Sequence, residues 1–371
     1  MGIVAIRSCG KEGNNTLSVV RKQFEEEATK YIFVDVDSSK WYSKINGIDV
    51  VSINDFMSMY NNNEIDSIVF PEVIYSRKNI EELIRGGCET EDIYVHNLSD
   101  DRVVKHNLFT YLYYLEFHVA DHCNLNCKCC DHFSPLVEGE VFTDYTTWES
   151  DITRLRELIE EIHLIRIMGG DPFLNKELPQ YIRKTRELYS AAQIHIVTNG
   201  ILLPQQDDFF WQTMTESQAE IHLSVYPDLT KNTKKLFELC KKRGVKIHAH
   251  DVTGFIPLIK KNKREYCFEN TSDCVCNNLY RGCISSCPYP MYGDYFNKYF
   301  DEKIPFESGK IDIYDNSLTG RKLMEKLDGP TEICNYCRYP DLLINQPFEM
   351  PVWEHYRPKE DKKKTDFCLY E

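Results

Sequence analysis

Between residues 114 and 249 the chain repeats one unit, a short β-rich run followed by a longer stretch with helical spacing, and this alternation confines it to parallel-sheet architectures. Strands are predicted at 114–120, 164–168, 193–197, 219–225 and 245–249, with helices over about 146–162, 178–189 and 232–243. Parallel strands need crossovers, and a run of them curls into a barrel or part of one, with its chemistry at the C-terminal strand ends. The reading is an α/β chain with a partial (β/α)6 TIM-like barrel over 110–255. Residues 1–105 alternate similarly, with strands at 3–7, 31–36, 67–70 and 93–95 and helices over about 16–27 and 79–85, a small Rossmann-like parallel-sheet domain. Its Gly10-Lys11-Glu12-Gly13 turn lacks the full G-x-G-x-x-G, and Glu12 opposes a pyrophosphate. Asp35 and Asp37 stand where such folds carry a ribose carboxylate, yet scaffolding fits better than a working dinucleotide site.

The first strand of the second array runs into Cys123-Asn124-Leu125-Asn126-Cys127-Lys128-Cys129-Cys130. With 15 cysteines in 371 residues, an eight-residue window holds about 0.3 by chance, against four here. Cys123, Cys127 and Cys130 have the spacing C-x3-C-x2-C, and three thiolates so close can bind three irons of a cubane and leave the fourth open. Closed structural sites use four protein ligands, so a set of three points to chemistry at the metal. A zinc knuckle or disulfides are the plainer alternatives. The N-terminus has no basic region followed by a long apolar run, and no stretch of eighteen apolar residues occurs, so a cytoplasmic protein without a membrane span is expected. In that compartment metal or redox chemistry accounts for many cysteines better than a disulfide framework. A net charge of −14 disfavours nucleic acid as a partner. The 359–364 run reads as a solvated tail, and Cys9, Cys88, Cys240 and Cys368 as ordinary isolated thiols.

A second group lies further along the chain, with C-x5-G-x4-C from Cys276 through Gly282 to Cys287 and C-x2-C at Cys334 and Cys337. Gly282 suits a tight hairpin, and the two pairs together can supply four thiolates to one iron-sulfur cluster or one zinc ion. Cys267, Cys274 and Cys283 are left over nearby.

On these residues the chain, over about 110–340, resembles the radical S-adenosylmethionine (SAM) superfamily. The resemblance implies a [4Fe-4S] cluster on Cys123, Cys127 and Cys130. It also implies SAM chelated to the unique iron, reductive cleavage to a 5′-deoxyadenosyl radical, and an external one-electron donor such as flavodoxin or ferredoxin. Gly169-Gly170-Asp171-Pro172 resembles the family's G-G-E-P turn, whose backbone and carboxylate bind the methionyl ammonium; with Asp171 for glutamate, the contact rests more on backbone carbonyls. Asn199, within Thr198-Asn199-Gly200, and Ser224 correspond to strand-end contacts with the sulfonium region or ribose, although each alone reads as a turn or strand-end residue. Cys129 departs from an aromatic residue common in the family, and is inert, redox-sensitive or an alternative ligand. Cys276, Cys287, Cys334 and Cys337 resemble the twitch relative of the SPASM module over 260–371, implying a second, auxiliary [4Fe-4S] cluster; a four-cysteine zinc site has the same ligands.

Asp131 and His132 come directly after the third cysteine, as candidate catalytic groups or as hydrogen-bond partners that tune the cluster. His118 and His222 read as packed core histidines, and Tyr226 and Tyr280 as hydrogen donors or substrate walls. A fully protein-ligated second cluster favours electron withdrawal from a substrate radical, hence oxidation. Similar single-auxiliary-cluster enzymes include aminocyclitol dehydrogenases, and Rossmann-like N-terminal units resemble those of sugar and cell-surface polysaccharide enzymes. The expected function is radical oxidation or epimerisation of a small polar substrate, a carbohydrate or sugar nucleotide. The alternatives are a peptide-modifying maturase and a non-enzymatic metal-binding scaffold.

Overall fold

The computed structural model describes residues 2–23, 28–71, 77–97, 101–105, 110–227, 233–262, 276–338 and 352–369. The chain divides into two compact units, Met1–Leu108 and Phe109–Glu371. Cys267 and Cys274 lie outside the described residues.

The first unit runs β1 (Gly2–Arg7), α1 (Lys11–Gln23), β2 (Ala28–Val34), β3 (Lys44–Ile45), β4 (Ile48–Val51), α2 (Ile53–Asn61), β5 (Ile65–Pro71), α3 (Arg77–Arg85), β6 (Ile93–Asn97) and β7 (Arg102–Lys105). Its sheet has the order β3-β4-β2-β1-β5-β6-β7, parallel from β4 to β6 and antiparallel at both edges. Central strands covered on both faces read as unbroken apolar runs, as in the buried Val4-Ala5-Ile6 and Ile68-Val69-Phe70. The glycine turn expected at 10–13 is instead the first turn of α1. The helix crosses β1's exit so closely that a Cβ at Gly13 would lie 2.0 Å from the Ser8 carbonyl oxygen. Asp35 accepts the Cys9 amide and thiol at 3.0 Å and the Asp37 amide at 2.9 Å, which commits its carboxylate to bracing the β1–α1 loop.

The second unit opens with five strands, β8 (Tyr111–Ala120), β9 (Glu161–Gly169), β10 (Gln193–Thr198), β11 (Glu220–Val225) and β12 (Ile247–Asp251). They are linked by α4 (Tyr145–Leu158), α5 (Leu178–Leu188), α6 (Asp208–Glu216) and α7 (Thr233–Arg243). All five are parallel in the order β12-β11-β10-β9-β8. After β13 (Ile259–Lys260), β14 (Asn278–Tyr280) joins the β8 edge in parallel and turns through Arg281-Gly282, both with positive φ, into antiparallel β15 (Cys283–Ser285). The sixth parallel strand thus comes from the cysteine-rich region and neighbours the first strand. α8 (Pro288–Phe300), β16 (Ile311–Asp312), α9 (Gly320–Asp328) and β17 (Cys368–Leu369) complete the described elements, β17 pairing with β13.

Several helices differ from expectation, among them α1, which starts at Lys11 and not near 16, and the unpredicted α2, α8 and α9. α4 stops at Leu158 because Ile162 pairs with Leu112 as β9 begins, and strand pairing outweighs helical spacing there. α6 went unpredicted, although Asp207 caps it by accepting the Phe210 amide at 2.8 Å.

Strand alternation gives the array two chemically distinct faces. Leu115, Phe117, Val119, Ile165, Ile167, Ile194, Ile196, Ile221 and Leu223 form one buried core with Trp148, Ile152, Tyr181 and Phe210 from the helices. The opposite face is polar. Register aligns Glu116, Arg166, His195 and Glu220 in one row across four strands, with His222 beside His248 and Ser224 beside His250 nearer the C-terminal ends. Among the described residues, no helix is long and apolar enough to cross a membrane.

Candidate active site

β8 ends at Ala120, and Asp121 anchors the start of the cysteine loop: its buried carboxylate accepts from His118 at 2.9 Å and from the Tyr280 and Tyr295 hydroxyls at 2.5 Å. Tyr280 is therefore a brace, and it does not line the cavity. His118 stacks on Tyr292 at 3.6 Å, and burial lowers its pKa despite Asp121, which fits its expected core role.

The cysteine loop then closes on the turn after β9. Gly170 donates its amide to the Ala120 carbonyl at 2.8 Å. Its own carbonyl oxygen lies 3.1 Å from Cys123 Sγ. A Cβ at Gly170 would lie 2.1 Å from the His122 carbonyl oxygen and 2.7 Å from the Cys123 amide nitrogen, and one at Gly169, where φ is 141°, would lie 2.0 Å from the Ala120 oxygen. The paired glycines thus let two backbones touch, whatever else approaches them.

Cys123, Cys127 and Cys130 line one cleft together with Asp131, His132, Gly169, Gly170, Asn199, Ser224 and Tyr226. Asn199 donates to Asn124 at 2.7 Å, tying the end of β10 to the cysteine loop. Cys129 stands outside the cleft lining and has φ of 59°.

Asp171 and Pro172 are also absent from the lining, and the Asp171 carboxylate is engaged within the fold. Asp171 is fully buried; one oxygen accepts the Phe173 amide at 3.1 Å, the other the Thr198 hydroxyl at 2.8 Å and the Asn199 amide at 3.1 Å. The shorter side chain stays behind the turn and pins β10's end to it. Burial raises its pKa to about 6 against these hydrogen bonds. Pro172 opens the short buried 3₁₀ turn next to it.

His132 Nδ1 lies 3.3 Å from Asp131 and its Nε2 3.7 Å from Glu116. Burial opposes the charged imidazole, but Asp131, Cys130 and Glu116 outweigh it and hold the pKa well above the ordinary value. Glu116 also accepts from Tyr114 and from Asn278, which joins β8 to the β14 hairpin.

A segment near the C-terminus was missed from sequence. Residues 352–356 lie antiparallel to the cysteine loop, with Lys128 N donating to the Glu354 carbonyl at 2.9 Å and Tyr356 N to the Asn126 carbonyl at 2.8 Å. The Trp353 ring packs 5.1 Å from the Tyr226 ring, and both side chains lower the Cys127 thiol against the larger effect of burial. The aromatic run Trp353-Glu354-His355-Tyr356 ahead of a charged tail was the available signal. Burial pushes the Cys127 thiol up to about 12, so metal uptake must displace its proton.

Among the described residues, three or more candidate ligand atoms gather within 4.8 Å of one another in two places, Cys130 with Asp131 and His132, and His195 with Glu220 and His222. Cys123, Cys127 and Cys130 together do not. In the second cysteine set, Cys287 stands at the N-cap position of α8, Cys334 lies within the 3₁₀ turn Glu332–Tyr336, and Cys337 ends that turn. Burial raises the Tyr289 hydroxyl, and the charges of Asp131, Cys337, Cys287 and Cys130 act in the same direction. Cys276 lies near Glu116, Asp131 and His132.

Residues 118–275 match the Radical SAM superfamily. The chain carries a radical SAM domain. Over 94 residues it is 37% identical to the GTP 3′,8-cyclase of Clostridium acetobutylicum, covering 25% of this chain and 29% of that one. Molybdenum cofactor biosynthesis protein 1 of Dictyostelium discoideum is 28% identical over 117 residues, covering 31% and 18%. The chain thus spans about three tenths or less of these curated relatives. Among solved structures, BtrN in complex with AdoMet and 2-DOIA is 16% identical over 66% of this chain and 97% of that chain, with a TM-score of 0.38.

The domain's own residues fit a three-cysteine cluster with SAM. Three thiols line a cleft that no fourth cysteine lines, next to backbone of the Gly169-Gly170 turn and to polar side chains at the ends of β10 and β11.

Proposed function

We propose that this chain is a radical SAM oxidoreductase or epimerase acting on a carbohydrate or sugar nucleotide. Cys123, Cys127 and Cys130 would hold the [4Fe-4S] cluster, and Gly169, Gly170, Asn199 and Ser224 would cradle SAM. When bound, the reduced cluster and SAM supply a 5′-deoxyadenosyl radical that takes hydrogen from substrate. The chain's own part is placement: the glycine turn and Asn199 hold the cysteine loop, and residues 352–356 cover its other side. Cys276, Cys287, Cys334 and Cys337 would hold the auxiliary cluster, an electron acceptor that suits oxidation. Asp131 and His132 line the same cleft as Cys123, Cys127 and Cys130, where they can contact substrate or tune the sulfurs. The sheet of the first unit, with β4-β2-β1-β5-β6 parallel and its order reversing beside β1, supports a Rossmann-like scaffold.

The observation that carries the proposal is the meeting of Cys123, Cys127 and Cys130 with the Gly-Gly turn and two strand ends in one cleft. Anaerobic reconstitution tests it. About eight irons per chain are expected, falling to about four when all three cysteines become alanine. Dithionite with SAM must yield 5′-deoxyadenosine from the parent chain and none from the triple variant. Parent chain that yields none is a scaffold.

A further inference from the structure

Resting on that reading and deepening it, we propose that the floor of the cleft binds a phosphate-class oxyanion of the substrate through the Arg166 guanidinium. Arg166 lies on β9 facing into the cleft, on the polar side of the sheet. Its Nε is buried without a hydrogen-bond partner among the described residues, and its Cζ lies 5.4 Å from the centre of the Tyr114 ring. A cation so placed ordinarily takes a carboxylate.

The two carboxylates in its own cross-strand row are committed elsewhere. Glu116 is bound by Tyr114, Asn278 and His132. Glu220 is bound by Lys246 at 2.9 Å and His248 at 3.0 Å. Acidic residues outnumber basic ones by 58 to 44 along the chain, so an arginine without a carboxylate here is not explained by scarcity.

The neighbouring groups complement an anion. His195 Nδ1 and His222 Nε2, on the next two strands and behind the cleft lining, are buried without partners among the described residues, and their rings stack at 3.5 Å. Burial holds both imidazoles below the ordinary value, so at neutral pH each is uncharged and keeps one N–H to donate. Higher on the wall, Ser224 and His250 lie 3.3 Å apart. A guanidinium fork with several neutral donors matches the oxygens of a phosphate or diphosphate. An amine-bearing substrate finds no uncommitted carboxylate in this row.

The rival source of an oxyanion is the carboxylate of SAM itself. Calorimetric titration of reconstituted chain with pyrophosphate, with acetate and with SAM separates the two. The parent chain is expected to bind pyrophosphate with SAM already bound, and to prefer it to acetate. R166Q is expected to weaken pyrophosphate about 10- to 100-fold, the range for losing hydrogen bonds to a charged group, while SAM affinity stays within about twofold. R166K, which keeps the charge and loses the fork, falls between, and carries the test if R166Q does not fold. Unchanged pyrophosphate binding in the variants, loss of SAM affinity instead, or a parent chain indifferent to pyrophosphate would overturn the proposal. Iron content and 5′-deoxyadenosine yield are scored separately. A parent chain that fails those but passes the pyrophosphate titration refutes the radical reading and leaves the oxyanion floor standing.

Discussion

Replacing Gly170 with alanine isolates the contact on which the cysteine loop depends. The added Cβ would lie 2.1 Å from the His122 carbonyl oxygen, 2.3 Å from its carbonyl carbon and 2.7 Å from the Cys123 amide nitrogen. All three are backbone atoms, so no side-chain rotation relieves the overlap. Ordinary contact needs about 3.2 Å or more, and the 122–123 segment must therefore retreat by about 1 Å. Overpacking of this kind costs about 1–3 kcal/mol, and the absence of a flexible neighbour puts Gly170→Ala in the upper half, about 2–3 kcal/mol. For a unit of this size that lowers the unfolding midpoint by about 4–12 °C. The chemical effect is larger, because metal-ligand distances tolerate only about 0.2 Å. Displacement of Cys123 should take reconstituted iron from about eight to about four per chain, since the second cysteine set is untouched. Thermal unfolding and iron analysis of the parent and Gly170→Ala chains check this. A variant with full iron and a midpoint within about 1 °C would refute the account of the paired glycines.

Because burial raises Asp171 to about 6 from 3.8, the folded chain holds this proton more tightly than the unfolded one; its contribution is present below about pH 4 and lost as pH rises through 6, about 3 kcal/mol in all. Urea midpoints at pH 5, 6 and 7 should fall more steeply for the parent than for Asp171→Asn, and parallel profiles would exclude the assignment. Cys129→Ser should leave iron content unchanged because Cys129 stands outside the cleft lining; a loss of iron would make it a ligand. Deleting residues 352–371 removes the two backbone hydrogen bonds to the cysteine loop and uncovers Cys127, now 6% exposed. Iodoacetamide labelling of the metal-free chain, read by mass spectrometry, should become at least several-fold faster at Cys127 and stay unchanged at Cys240.

The local signals were legible because each is complete within a few residues. A sequence spacing of three and two between thiols fixes their reach whatever the rest of the chain does, and apolar runs such as Ile68 to Phe70 announce strands by composition. The Asp171 motif gave its place after β9, but the direction of its carboxylate depends on Thr198 and Asn199, 27 and 28 residues away. The Gly-Gly pair was found for a reason that proved incomplete, since the close approach seen is between its backbone and that of the cysteine loop. Nothing local in Arg166 sets it apart from any arginine in a strand.

By itself, then, the amino-acid order determined an alternating α/β chain with a triad of thiols at the end of a strand and a second set of cysteines beyond the array. Tertiary structure decided which polar groups share a cleft, that Glu116 and Glu220 are committed away from Arg166, and that a segment some 225 residues downstream covers the cysteine loop. The physical reason is range. Spacing and periodicity act through bonds and nearest neighbours, whereas the pairing of buried charges and the closure of a pocket depend on strand register and long-range contact.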